Sequence, residues 1–172
     1  MTHIDKAVEA LRGKFGEAIL GVVEFRGQTT VELKPAAVVR ACQLLRDQTK
    51  LRFDFLAALT ATDYWPERPR FVVIYNLYST AHKAALGLLV ALEEDQPIST
   101  IEDVFPNANW HEREIFDMFG IHFEGHSDLR RILMPYDWEG FPLRKDYPLG
   151  YEEVQFSFNV DEINKRKKYA KD

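Results

Sequence analysis

Apolar and polar positions alternate with two different periods over the first hundred residues. Ile4, Val8, Leu11 and Phe15 recur every three or four places, which predicts an amphipathic helix over 3–15 closed by Gly16. Residues 18–25 and 29–33 are rich in β-branched side chains and flank Arg26-Gly27-Gln28, the pattern of a hairpin. Pro35 suits the first turn of a second helix, in which Val38, Val39, Cys42 and Leu45 share a face. Residues 53–62 fit a strand or a helix equally well. Residues 70–78 are β-branched and aromatic on both faces, as an inner strand is, and 84–92 follows after a polar turn containing His82 and Lys83. The order α-β-β-α-β-β-β predicts an α+β fold, a mainly antiparallel sheet covered by helices on one face.

Beyond residue 98 the signals are shorter. Ser99-Thr100-Ile101-Glu102 has the form of a capping box and predicts a short helix limited by Pro106. Asn109, with Glu112 three places on, predicts a second cap for a helix over 110–119, stopped by Gly120. Regular periodicity then fades. Residues 105–150 hold four prolines, four glycines, nine aromatic and 13 charged side chains. Such a segment cannot bury itself by regular packing, yet it is too aromatic for a disordered linker. It is expected to drape over a folded surface, its own or a partner's. The expected division is a compact α+β domain over 1–120 and, over 121–172, an extended irregular C-terminal arm that ends in a basic tail.

Composition narrows the function. At 172 residues one domain is expected. The single cysteine, Cys42, excludes an intramolecular disulfide and a self-contained iron–sulfur cluster, and its place on an apolar helix face reads as a core thiol. With 27 acidic against 22 basic side chains and a net charge of −5, nucleic acid is not expected as a partner. No apolar run approaches the roughly 18 residues of a membrane span, and residues 1–15 lack the apolar core of a signal peptide. A cytoplasmic-type protein without its own redox metal centre or membrane anchor is therefore expected.

Catalytic patterns fail one by one. His111-Glu112 begins a zinc-protease helix, but position 115 is Ile where the second histidine belongs. His122 and His126 are four apart, with Gly120 and Gly125 around them arguing against one intact helix. There is no glycine-flanked serine elbow and no glycine-rich phosphate loop. What remains is a dense set of opposite charges beside aromatic rings. Arg113 and Asp117, four apart, are expected to pair along one helix face. Each acid has a basic neighbour in sequence, so lowered carboxylate pKa values and a structural ion-pair lattice are expected rather than acid–base catalysis. No catalytic, cofactor-binding or metal-binding residue is assigned.

The charged stretch itself carries a resemblance. The stretch 109–121, with Trp110 and Gly120, resembles the 30-kDa (C-type) subunit family of respiratory complex I, and Glu112-Arg113-Glu114, Asp117, Met118-Phe119, His126, Arg130 and Ile132-Leu133 match that family's motif element for element. The continuation Arg131 to Pro135, Asp137 to Gly140, and Pro142 through Arg144, Lys145, Asp146 and Tyr147 to Pro148 also looks like that family. The specific match spans about 40 residues. The resemblance implies a cofactor-free subunit of the peripheral arm of proton-translocating NADH:quinone oxidoreductase. FMN, iron–sulfur clusters and quinone would lie in other subunits. The implied partners are the D-type (49-kDa) and B-type subunits and other peripheral-arm subunits, and the resemblance implies that the arm over 121–172 docks on a partner. The implied place is the cytoplasmic face of the cell membrane, with the membrane met only indirectly, through the complex. The same module serves relatives, as the J-type subunit of a ferredoxin-linked complex and in membrane-bound hydrogenases, and nothing in this sequence chooses the electron donor. Trp110, Phe119, Phe123, Trp138 and Tyr147 are expected among the interface anchors, with Arg130, Arg131, Arg144 and Lys145 as charge partners.

Overall fold

A computed structural model describes residues 2–148. The first helix, α1 (His3–Phe15), begins at Thr2, whose hydroxyl accepts from the Asp5 N–H while the Asp5 carboxylate accepts from the Thr2 N–H. This reciprocal cap explains the abrupt helix start, and Gly16, at φ +47°, ends it. Strands β1 (Ile19–Phe25) and β2 (Gln28–Leu33) form the expected hairpin. Arg26 and Gly27 both have positive φ, the backbone a tight two-residue hairpin turn needs. Pro35 opens a 3-10 turn (Pro35–Ala37) that leads into α2 (Val38–Asp47). The ambiguous stretch is a strand, β3 (Phe55–Asp63), followed by β4 (Phe71–Ser79) and β5 (Ala84–Leu92).

The five strands lie in the order β1-β2-β5-β4-β3. Three of the four pairings are antiparallel. The fourth, β2 with β5, is parallel, with Thr30 opposite Gly87 and Leu33 opposite Val90. The α+β class holds, with this one parallel seam in its middle. On one sheet face Val31, Leu33, Leu59, Val73, Tyr75, Leu88 and Val90 are buried. They join Leu11 of α1 and Ala41, Cys42 and Leu45 of α2 in a single apolar cluster. Cys42 is fully buried, which pushes its thiol up to about 12 and leaves it inert. Val72, Ile74, Leu89 and Ala91 alternate onto the opposite, only half-buried face.

The expected short helix at 99–102 does not form. Ile98–Ser99 is instead a short strand, β6, paired in parallel with β7 (Phe123–Glu124). The Thr100 hydroxyl accepts from the Glu102 N–H two residues on, a local turn that competes with helix nucleation. Glu102 itself reaches away to Asn109 and Ser127. The third helix, α3 (Ala108–Phe119), starts two residues before the expected position. Asn109 does not cap it. Its side chain donates to Glu102, while Asn107 at the cap position donates to the Leu56 carbonyl at 2.9 Å.

Gly120 ends α3 in the left-handed conformation, φ +76°. A Cβ here would lie 2.5 Å from Cε2 of Phe141, so the residue is required both for its backbone and for the ring packed on it. Gly120→Ala is expected to cost about 2 kcal/mol or more, since a strained left-handed backbone alone costs about 1–3 kcal/mol. A urea unfolding curve reads this as a lower midpoint, and an unchanged midpoint would contradict the assigned packing.

Candidate partner-docking site

The helix α3 is buried almost all round, which an ordinary surface helix is not. Ile115, Met118 and Phe119 face the sheet core, where the Phe119 ring meets Phe71 edge-on at 6.4 Å. Glu112, Arg113 and Asp117 are buried too, because residues 121–148 fold back over the helix. We call residues 128–148 the strap. It has no regular secondary structure, so its backbone groups must be satisfied one by one.

Asp117 satisfies three of them in a row. One oxygen, Oδ2, accepts from three consecutive N–H groups, Ile132 at 3.0 Å, Leu133 at 2.7 Å and Met134 at 2.8 Å. The other, Oδ1, accepts from Arg131 at 2.6 Å. Burial alone would raise this carboxyl. The Met134, Leu133 and Ile132 amides and the Arg131 guanidinium outweigh it and hold the group below the ordinary carboxylate range. The expected Arg113–Asp117 pair along the helix is therefore replaced. Asp117 pairs with Arg131 from the strap, and Arg113 donates to the Arg130 and Arg131 carbonyls, both at 3.1 Å. Arg131 also donates to the carbonyls of Trp138 and Gly140, closing the strap on itself.

A second fastening joins the strap to the sheet. Arg70, 3% exposed at the start of β4, pairs with Asp63 at 3.0 Å, Glu94 at 2.6 Å and Asp146 at 2.6 Å. Burial raises Asp63, but Arg70 and the Lys145 and Trp65 N–H groups more than offset this and keep it ionised. The Arg144 guanidinium sits 4.7 Å from the Phe141 ring centre and 5.3 Å from that of Phe71, and its Nε donates to the Phe119 carbonyl at 2.6 Å. Lys145 lies over Tyr64 at 5.9 Å. Gly140, at φ +80°, lies beneath the Tyr147 ring, and the Tyr147 hydroxyl donates to the Glu139 carbonyl.

The expected interface residues thus separate into two groups. Glu112, Arg113, Asp117 and Phe119 are buried, His126 has a buried side chain, and Phe123 is core. Gly120, Arg131, Pro142, Arg144, Tyr147 and Trp138 are half-buried and pack the strap. Trp110, Glu114, Arg130, Pro135, Asp137, Gly140, Lys145, Asp146 and Pro148 are exposed. Arg130 pairs with Asp128 at 2.9 Å on the surface. The apolar side chains turned outward in this region are Trp110 (61%), Leu133 (62%), Tyr136 (94%) and Leu143 (54%). Arg113 supports Trp110 from below, 5.4 Å from its ring centre. Sequence reasoning does not single out Leu133, Tyr136 and Leu143 as outward-facing, although Leu133 and Leu143 lie within the matched stretch, because nothing distinguishes an outward apolar side chain from an inward one in an irregular segment. It misses Asp63, Arg70 and Glu94 as well. Their only signal is a charged residue at the end of an apolar strand.

The expectation of a lowered pKa at every acid also fails at Glu112. Its carboxyl is fully buried, and burial outweighs the lowering by the Ile101 N–H, the Thr100 hydroxyl and His126 and pushes it up to about 7. Among the described residues no group of three or more His, Cys, Asp or Glu side chains is placed to hold a metal. His111, His122 and His126 are not brought together, and no helix there is long and apolar enough to cross a membrane. The basic tail lies outside the described residues.

Fold and strap together define a class: an α+β module with an irregular segment fastened across α3 by buried charges. The chain belongs to the family of the respiratory-chain NADH dehydrogenase 30 Kd subunit, whose model matches residues 31–153. It is 49% identical over 166 residues to the C subunit of NADH-quinone oxidoreductase from Roseiflexus sp. (strain RS-1), covering 96% of this chain and 95% of that one. It is 45% identical over 150 residues to the corresponding C subunit from Geotalea uraniireducens (strain Rf4), covering 87% and 90%. It is 43% identical over 153 residues to the C 2 subunit from Rhizobium meliloti (strain 1021), covering 88% and 84%. Its partners are accordingly other subunits of an oxidoreductase complex.

Proposed function

We infer that this chain is a cofactor-free scaffold of the peripheral arm of proton-translocating NADH:quinone oxidoreductase. It docks through the strap on the D-type subunit, near the B-type subunit and the quinone end, at the cytoplasmic face of the membrane. Flavin, iron–sulfur clusters and quinone belong to the other subunits. The observation that carries this reading is the contrast within the strap. Its backbone and charged side chains are tied down by Asp117 and Arg70, while Leu133, Tyr136 and Leu143 are left turned to solvent. A strap stapled in place, with apolar side chains held outward at fixed positions, loses little conformational entropy when a partner covers it. Aromatic and aliphatic anchors of this kind carry most of an interface's energy.

The test is a triple substitution, Leu133→Ser, Tyr136→Ser and Leu143→Ser, which touches none of the fastening side chains. The purified variant is expected to unfold at the wild-type midpoint. In cells it is expected to lose co-purification with the D-type subunit by at least tenfold, and with it membrane NADH:quinone activity. Undiminished co-purification would refute docking through the strap.

A further inference from the structure

One buried cluster is not used by the docking reading. Glu112 points from the first half of α3 at the segment that follows β6. Its Oε1 accepts from the Ile101 N–H at 2.8 Å, and its Oε2 meets the Thr100 hydroxyl in a short hydrogen bond. The ionisable groups that face it are Glu102 and His126 from the segments on either side, Cys42 from α2 and Tyr75 from β4. None of these is a fixed cation. His126 Nε2 lies 3.9 Å from Glu112 Oε2 and 3.7 Å from Glu102 Oε2, but its closest partner is the Asn109 carbonyl at 3.1 Å. A carbonyl only accepts, so Nε2 carries hydrogen. Nδ1 accepts from the Asp128 N–H at 3.0 Å, so it carries none. Both ring nitrogens are thereby committed to backbone groups, and neither is bonded to Glu112. A carboxylate at Glu112 would thus be buried with no hydrogen-bonded cation and beside a second carboxylate, and burial outweighs the lowering by Ile101, Thr100 and His126, the condition in which a carboxyl keeps its proton.

We propose that Glu112 is a proton-binding site built into the junction of α3, the β6 segment and the root of the strap, and that its ionisation loosens that junction. The geometry accepts both states. The Thr100 hydroxyl can donate to a carboxylate or accept from a carboxyl O–H, so the Oε2 bond survives the change. What differs is an unpaired charge inside the fold. The elements that feel it are those Glu112 holds together: Thr100 and Ile101 by its own bonds, and His126, whose ring abuts it, at the point where the chain enters the strap.

The direction follows from linkage. The folded chain retains a proton that the unfolded chain releases at the ordinary 4.5, so stability falls as pH rises through the interval up to about 7 and is level above it. For a carboxyl titrating at about 7, the unfolding constant rises about tenfold between pH 6 and pH 8 on this account alone. Glu112→Gln keeps the acceptor oxygen and removes the titration. Urea unfolding of the full chain is to be followed across this range for both proteins. The ratio of wild-type to variant unfolding constants is expected to grow about tenfold, and a ratio that stays constant would overturn the proposal. A second measurement needs no variant. Infrared spectra of wild-type chain carrying 13C-labelled glutamate are expected to show a protonated carboxyl band at pH 6 that is lost by pH 8. Absence of that band at pH 6, where exposed glutamates are ionised, would equally overturn it.

Discussion

Asp117→Ala is expected to destabilise the folded chain by about 3–5 kcal/mol, the cost of breaking a buried ion pair from one side. The substitution removes the single carboxylate that accepts from three successive strap amides and from Arg131. Arg131 is left facing Trp138 and Gly140 with its charge uncompensated, and the amides of Ile132, Leu133 and Met134 have no acceptor unless the strap lifts into water. Lifting is the cheaper outcome. The loss should therefore appear as rapid hydrogen exchange and early proteolysis over 128–148, with the sheet still protected. Asp117→Asn, which keeps an acceptor oxygen, should fall between the two. The acid limb of stability carries the same signature. Asp117 titrates below its ordinary 3.8 in the folded chain, so its contribution is complete above that value and is lost as pH falls through it toward the folded value. Wild-type strap protection should therefore collapse at acid pH, whereas Asp117→Ala should show little further loss. Equal exchange of 128–148 in wild type and variant at neutral pH would refute the role given to this residue.

Arg70→Met is expected to have an effect of similar size, about 3–5 kcal/mol, for a different reason. Methionine fills much of the volume, so the loss is electrostatic rather than a cavity. The Asp63 side chain, 1% exposed, would keep its two N–H partners, from Trp65 and Lys145, but lose the charge that offsets its burial. Adding Asp63→Asn to Arg70→Met should recover a sizeable part of the loss, because it removes the stranded charge. A double-mutant cycle from denaturant midpoints measures this. A coupling energy near zero would mean that the pair contributes no more than an exposed one. Because Asp146 and Lys145 are held at the same point, Arg70→Met should also loosen the far end of the strap without disturbing the 131–134 end.

Much of the fold is legible in the sequence because it rests on local period. The 3.6-residue repeat of Ile4, Val8, Leu11 and Phe15 locates α1, and two-sided apolarity locates β4 and β5. Gly120 marks the end of α3 because only a left-handed residue turns the chain there. The parallel seam between β2 and β5 is not legible, since Thr30 and Gly87 are distant in sequence and each strand reads the same whichever neighbour it takes. Side-chain partners are misjudged where the local rule and the long-range one compete. The four-residue spacing makes Arg113 the natural partner of Asp117, but a helix covered on its outer side offers its buried carboxylate to the chain crossing over it. The capping-box pattern at 99–102 fails similarly, because Glu102 has better acceptor work at Asn109 and Ser127 than at its own helix end. The motif residues do gather around α3 and the strap. Their division into fasteners and outward side chains depends on burial, which spacing does not encode in an irregular segment.

The parallel seam also sets an order of assembly. A hairpin such as β1–β2 is marginal alone in water, and among the described residues its other sheet neighbour is a strand that begins more than fifty residues after β2 ends. The β3-β4-β5 meander has purely sequential pairings and closes through short loops. On a ribosome, the N-terminal hairpin and α1 must therefore wait, with the apolar faces of Val31 and Leu33 uncovered, until β5 has emerged and joined the meander. Only then can α3 find both its surfaces and the strap its anchor points. The strap is thus fixed only after the sheet and α3 on which it lies, so its outward side chains Leu133, Tyr136 and Leu143 take their places late in folding.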